Sequence, residues 1–174
     1  MRVVGIDPGV SPTVCLLIPP ENGKPIAAQW WEGDETSDTV RVNAKARRRC
    51  SPSLLAGILR EATPGAVFIE RVNAMPAEGV SSAFNFGRAF GICEAVAIAL
   101  DYPVYFVNSR VWRKALQVPE GKTGSRFTAG SIAPTLAGNY KLVKDHNRAD
   151  SFLIAYYGAL ELQRSRLQVK ELAL

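Results

Sequence analysis

Arg2-Val3-Val4-Gly5-Ile6-Asp7-Pro8-Gly9 is followed closely by Thr13-Val14-Cys15-Leu16-Leu17-Ile18. A short β-branched run ends on an acid, Pro-Gly turns the chain, and a second apolar run returns. The pattern predicts a strand, a tight turn and an antiparallel strand, because Pro presets φ and Gly supplies permissive backbone. Asp7 then falls at the C-terminal end of a buried strand, where open α/β sheets bind their ligands. An acid there is either a turn former or a fixed metal ligand. Two further acids in similarly apolar settings favour the ligand.

The first of these is Glu70, which closes Ala66-Val67-Phe68-Ile69-Glu70. A continuous apolar run of this length suits a strand buried on both faces. The second is Asp150, within Lys144-Asp145-His146-Asn147-Arg148-Ala149-Asp150-Ser151-Phe152. It falls in the first turn of a helix predicted over residues 147–162, immediately before an apolar stripe. The helix N-terminal dipole alone can account for an acid in that turn. Its position beside the core face turns it inward instead. His146, the chain's single histidine, precedes Asp150 by four residues and shares its face if the helix starts early enough.

Between these points the chain alternates. Ile26 to Trp31 predicts a third strand, Ser51-Pro52 opens a helix through Leu59, and residues 79–100 carry a long helical pattern. Gly87 and Gly91, four apart on that helix, permit close approach of another backbone, either the sheet or a second copy. Pro103 to Val107 is a further strand, followed by short helices near 109–116 and 125–133. The polar stretch from Glu32 to Arg49 holds Arg41, Lys45, Arg47, Arg48 and Arg49. It reads as a solvated connection or as an arm that contacts phosphates. The order β-β-β-α-β-α-β, then helices, argues for a mixed sheet with helices packed on it.

At 174 residues, 47% hydrophobic and 21% charged, the chain suits one domain with a full core. A net charge of +5 is compatible with nucleic acid without requiring it. Cys15, Cys50 and Cys93 are odd in number and form no CxxC pair, which predicts a reduced, cytoplasmic protein rather than a disulfide or zinc framework. The most apolar later segment, Phe86 to Leu100, is interrupted by Arg88 and Glu94, which argues against a membrane span. No G-x-S-x-G elbow is present, and one histidine excludes multi-histidine zinc sites. Gly121-Lys122-Thr123 mimics the end of a P-loop, but Leu116 stands where its first Gly belongs. Two acids at strand ends and one at a helix start can converge on cations. Clusters of oxygen ligands prefer Mg²⁺ or Mn²⁺, and paired ions of this kind serve phosphodiester hydrolysis.

Taken together, Gly5-Ile6-Asp7-Pro8-Gly9, Phe68-Ile69-Glu70 and Arg148-Ala149-Asp150 with its apolar helix resemble the RuvC-type Holliday-junction resolvases. Ser81 to Arg88 and Val111-Trp112-Arg113-Lys114 look closer to the phage, poxvirus and chloroplast branch. The resemblance spans nearly the whole chain. It implies one nuclease domain over residues 1–174, α/β in class, with an RNase-H-like mixed five-stranded sheet and helices on both faces. It further implies a homodimer, in a bacterial or phage-infected cell, that binds four-way DNA junctions and nicks two opposing strands with Mg²⁺, for which Mn²⁺ can substitute.

Carried over position by position, Asp7, Glu70 and Asp150 match the metal-binding acids. The family's fourth acid falls three or four residues before the last, where this chain has Asn147 and His146. His146 is the favoured replacement, as metal ligand or proton carrier, with Asp145 as fallback. Lys122 matches a lysine near the active site that can stabilise developing phosphate charge. Met75 is the large apolar residue where related resolvases disturb base stacking, and apolar wedges do unstack bases. Arg47 and Arg48 in the basic segment, with Arg88, Lys114 and Arg148 in the matched motifs, are the other expected DNA contacts. The alternatives are a nuclease for branched, flap or RNA-DNA hybrid substrates, an actin-like phosphotransferase, and a DNA-binding module without chemistry.

Overall fold

The computed structural model describes residues 1–21, 26–73 and 79–172. In chain order its elements are β1 (Val3–Asp7), β2 (Thr13–Ile18), β3 (Ala27–Trp31), β4 (Ser37–Val42), β5 (Lys45–Cys50) and α1 (Pro52–Ala62). There follow β6 (Ala66–Glu70), α2 (Val80–Ala99), β7 (Val104–Val107), α3 (Ser109–Ala115), α4 (Lys122–Ile132) and α5 (His146–Leu172). Five strands make one sheet in the order β3-β2-β1-β6-β7. β1 is antiparallel to β2 and parallel to β6, and β6 is parallel to β7. This is the α/β arrangement expected from the sequence, a mixed five-stranded sheet with helices on both faces.

The two-residue period of a strand sorts β1 between two cores. Val4 and Ile6 pack with Val67, Ile69, Leu55 and Leu59 on the side of α1 and α2. Val3 packs with Phe68, Phe152, Leu153 and Trp112 on the side of α5 and α3. Gly5 also faces α5. A Cβ at that position would collide with the carbonyl of Ser151 and stand 2.5 Å from the backbone nitrogen of Ala155. Glycine is therefore what lets α5 lie directly on β1. Asp7 follows the same phase, as does Glu70 on β6, so both acids emerge on the α5 side of the sheet's C-terminal edge.

Several expectations are corrected. The segment Glu32 to Arg49, read as a solvated connection or a phosphate-contacting arm, is regular structure rather than an irregular link. It forms a 3-10 turn and the β4–β5 hairpin, a separate two-stranded sheet paired from Ser37↔Cys50 to Val42↔Lys45. Its turn residues Asn43 and Ala44 both have positive φ, 49° and 62°, as a tight hairpin turn requires. Gly87 and Gly91 do not pack on the sheet, since nothing lies within 4 Å of a Cβ added at either. The last helix begins at His146 and runs to Leu172 rather than stopping near Leu162, and α4 begins at Lys122 rather than Ser125. The three cysteines are free and buried. Among the described residues no helix is long and apolar enough to cross a membrane.

Replacing Gly5 by Ala is expected to destabilise the protein by about 3 kcal/mol, the upper end of overpacking costs, because backbone atoms oppose the new methyl. A urea unfolding midpoint indistinguishable from wild type would show that α5 can back away from β1.

Candidate metal centre and nuclease site

Asp7 and Glu70 end neighbouring parallel strands, and the register Gly5↔Phe68, Ile6↔Ile69 carries them to the same level. Asp150 reaches the same region from the first turns of α5. The three carboxylates sense one another. Burial, then the charges of Glu70 and Asp150, push Asp7 well above the ordinary carboxylate range. Burial and the Asp150 charge push Glu70 up to about 7, although Trp112, Ser109 and Arg113 oppose this. Asp150 is also raised, chiefly by burial, against the opposing effects of Ser125, Arg113 and His146. Such raised values on clustered acids mark a site that a cation would relieve.

The crevice is open rather than enclosed. Asp7, Pro8, Glu70, Arg71, Asn73, Phe86 and Ser109 line one half. Arg113, Glu120, Gly121, Ser125 and Asp150 line the other. Arg113, which sequence reasoning left without a role, ties the second half together. Its guanidinium is 3.5 Å from Asp150 Oδ1 and donates to Ser125 Oγ at 3.0 Å and the Pro119 carbonyl at 3.1 Å. A further donation reaches the Gly121 carbonyl at 3.4 Å. One side chain from α3 thereby fixes the start of α4 against α5. Trp112 is 1% exposed, and its indole N–H makes no hydrogen bond of ordinary geometry among the described residues. It nonetheless lies close enough to Glu70, with Ser109, to help hold that carboxyl's pKa down.

His146 opens α5, so it shares a face with Asp150 and its charge acts on that carboxyl. Its Nδ1 is 3.0 Å from the Val143 carbonyl. With a carbonyl as acceptor, Nδ1 is the donor, and in the neutral ring Nε2 then keeps its lone pair. Asp145, the fallback, is buried and accepts from the Leu142 backbone N–H at 2.7 Å. It closes the turn before α5 and does not figure among the charges acting on the three acids.

The expected DNA contacts are spread. Arg47 is exposed on β5, and Arg48 beside it pairs with Asp34 at 2.5 Å. Arg88 on α2 and Lys114 on α3 are exposed. Arg148 is committed elsewhere, with two hydrogen bonds of 3.0 and 2.5 Å to Glu32 that link α5 to the end of β3. Lys122 is the first residue of α4, and its side chain lies outside the described part, as does Met75 entirely. The P-loop resemblance fails structurally, since α3 rather than a strand precedes α4.

Among the described residues no group of three or more His, Cys, Asp or Glu side chains already stands at chelating distance. The donor chemistry still fits a hard divalent cation: three half-buried, mutually repelling carboxylates balanced by one ion pair, to Arg113. Asp7, Glu70 and Asp150 are the residues able to hold it, with His146 Nε2 as the flanking nitrogen.

The raised carboxyls fix a pH dependence. The folded protein holds protons on these groups at pH values where the unfolded chain has lost them. Stability therefore falls as pH rises from the ordinary carboxylate range through about 7. With EDTA present, Glu70→Gln is expected to be more stable than wild type at pH 8 by roughly 2 kcal/mol and to lose part of that slope. Urea denaturation across pH 5 to 8 measures both, and identical curves for the two proteins would refute the charge cluster.

No protein-family model matches the chain, and no curated protein matches its sequence. Solved structures do. RuvC of Thermus thermophilus superposes with a TM-score of 0.63 at 18% identity, covering 95% of this chain and 97% of that one. The same protein in complex with a Holliday junction substrate gives 0.63, covering 94% and 96%. The yeast mitochondrial Holliday junction resolvase Ydc2 gives 0.57 at 17% identity, covering 90% of this chain and 76% of that one. The fowlpox virus Holliday junction resolvase gives 0.55 at 15% identity, covering 93% and 99%. At these identities the likeness is one of fold, and the fold is that of the RuvC-type resolvases.

Proposed function

We propose that the chain is a divalent-metal-dependent endonuclease that resolves four-way DNA junctions, with Mg²⁺ as the working ion and Mn²⁺ able to replace it. The observation that carries this reading is the coupled carboxylate cluster of Asp7, Glu70 and Asp150 at one end of the sheet. Junction recognition is supported by the fold it shares with resolvases, one of them solved with a Holliday junction substrate.

Bound at these acids, Mg²⁺ would supply an activated water and charge stabilisation for phosphodiester hydrolysis. The chain's own groups have distinct tasks. Asp7 and Glu70, fixed on neighbouring strands, present oxygens from a rigid edge. Arg113 holds Asp150 in place and brings a positive charge beside the scissile phosphate. His146, with Nδ1 fixed on Val143, offers Nε2 to carry a proton to or from the reacting oxygens. Lys122, at the start of α4, is the proposed partner for developing charge on the phosphate.

Resolution by paired nicks needs two such sites, and α2 supplies the face on which a second copy would dock. Val80 (89% exposed), Phe84 (72%), Gly87, Gly91, Ala95 and Ile98 (53%) follow helical spacing along its outer side. Nothing lies within 4 Å of a Cβ added at either glycine, so a partner helix can approach closely. An apolar stripe this continuous is unusual on the surface of a monomer.

Two outcomes are expected. A labelled four-way junction in Mg²⁺ is cut by symmetric paired nicks, EDTA stops the reaction, and Asp7→Asn lowers the rate by about a hundredfold or more. Equal cutting of flap, duplex or RNA-DNA hybrid substrates would transfer the chemistry to another nucleic acid, and no cutting in Mg²⁺ or Mn²⁺ would leave a binding module. Secondly, Phe84→Glu converts a dimer to a monomer by light scattering, whereas a wild-type monomer at the same concentration would remove α2 as the interface.

A further inference from the structure

A second cleft lies across the β1–β2 turn from the acidic crevice, between β5 and α2. It is a narrow, partly open slot enclosing only about 10 Å³, and its lining includes Val10, Arg48, Arg49, Cys50, Asn85 and Arg88. Cys50 and Cys93, both buried in one apolar cluster, join the hairpin to α2 at its base. Of the three arginines, Arg48 pairs with Asp34. Neither half-buried Arg49 nor exposed Arg88 makes an ion pair among the described residues. Arg49 has Asp38 as its cross-strand partner, and the two form no ion pair.

Two guanidinium groups without carboxylate partners, set in one narrow cleft with a side-chain amide, call for an anion that accepts several hydrogen bonds. The planar fork of arginine matches phosphate oxygens in pairs. The slot is too small to enclose a nucleotide, so the anion would sit at its open mouth, as a tetrahedral group held on a longer molecule can. Its walls are shared with the crevice. On α2, Phe86 lines the crevice while Asn85 and Arg88 line the cleft. On the β1–β2 turn, Pro8 lines the crevice and Val10 the cleft.

We propose that the cleft of Arg49, Asn85 and Arg88 docks a backbone phosphodiester of the strand whose neighbouring phosphodiester lies at Asp7, Glu70 and Asp150, so that the nucleic acid crosses the β1–β2 turn. This rests on the nuclease reading of the acidic crevice. The β4–β5 hairpin is then a clamp that sets strand position, acting through the phosphate backbone and indifferent to base sequence.

The test is equilibrium binding of a fluorescent four-way junction and of plain duplex in EDTA, over about 50 to 200 mM salt. Arg49→Gln/Arg88→Gln is expected to weaken both by about tenfold at the lowest salt and to flatten the log–log salt dependence by about one. Arg60→Gln, the same charge change at an exposed position on α1, should alter neither. Thermal unfolding confirms that the variants fold, and if the double variant does not, Arg88→Gln alone at its exposed site carries the comparison. Unchanged affinity and slope would overturn the cleft while leaving wild-type junction cutting, and so the nuclease reading, intact. A flattened slope in a wild-type background that never cuts would keep the cleft and sink the nuclease. A wild type that binds no DNA overturns both.

Discussion

Three carboxylates that repel one another sit partly or wholly out of water, and the fold spends stability to keep them there. Asp7 and Glu70 cannot separate, because each ends a strand locked into a parallel pair. Asp150 cannot withdraw, because α5 is packed against β1 through the missing side chain of Gly5. The result is a rigid arrangement of oxygens whose protons are held too tightly and whose charges lack enough partners. That is the reverse of what a purely structural site would select, and it is the usual signature of one that binds a cation.

Rigidity alone would not set the spacing of the acids. Arg113 does part of that work, because it bonds Asp150, Ser125 and two carbonyls before α4 at once. Its charge also lowers the carboxyls of Glu70 and Asp150. It therefore serves as the local counter-charge and as the tie between α3, α4 and α5. Arg148 has the corresponding role at the outer end, where its fork on Glu32 anchors α5 to the sheet edge. Two arginines of one helix bundle thus differ in function by a single fact, the position of the acid each one meets.

The residues that were legible in the sequence are those whose role is local. β1 and β6 announce themselves as apolar runs ending in an acid, and the helical stripe after Asp150 fixes which way that side chain turns. The hairpin β4–β5 was hidden because its strands are mostly exposed and charged, giving no apolar alternation, and because Asn43-Ala44 makes its turn without glycine. Gly87 and Gly91 announced close approach but not its direction, since spacing along a helix does not say which face meets the sheet. Arg113 was quoted within a motif yet carried no role, because its partners come from three separate places in the chain. Asp145 entered only as the fallback for the family's fourth acid, and the hydrogen bond it accepts from Leu142 gives it a turn-closing role that no sequence spacing announces.

The arrangement of charge ties these features to one another. A basic chain that concentrates its buried acids at one sheet edge needs its cations nearby but not in contact, or they would neutralise the cation site. The β1–β2 turn provides that separation. Asp7 and Pro8 lie on its acidic side and Val10 on the side of Arg49 and Arg88. Among the described residues Arg113 is the cation paired with the acid cluster, and it meets Asp150 at the long distance of 3.5 Å, which weakens the pair without breaking it. A polyanion laid across such a boundary meets unpartnered guanidinium groups on one side and a cation-holding cluster on the other. Attraction on the first side offsets the repulsion its backbone would feel from Asp7, Glu70 and Asp150 until a metal ion is in place.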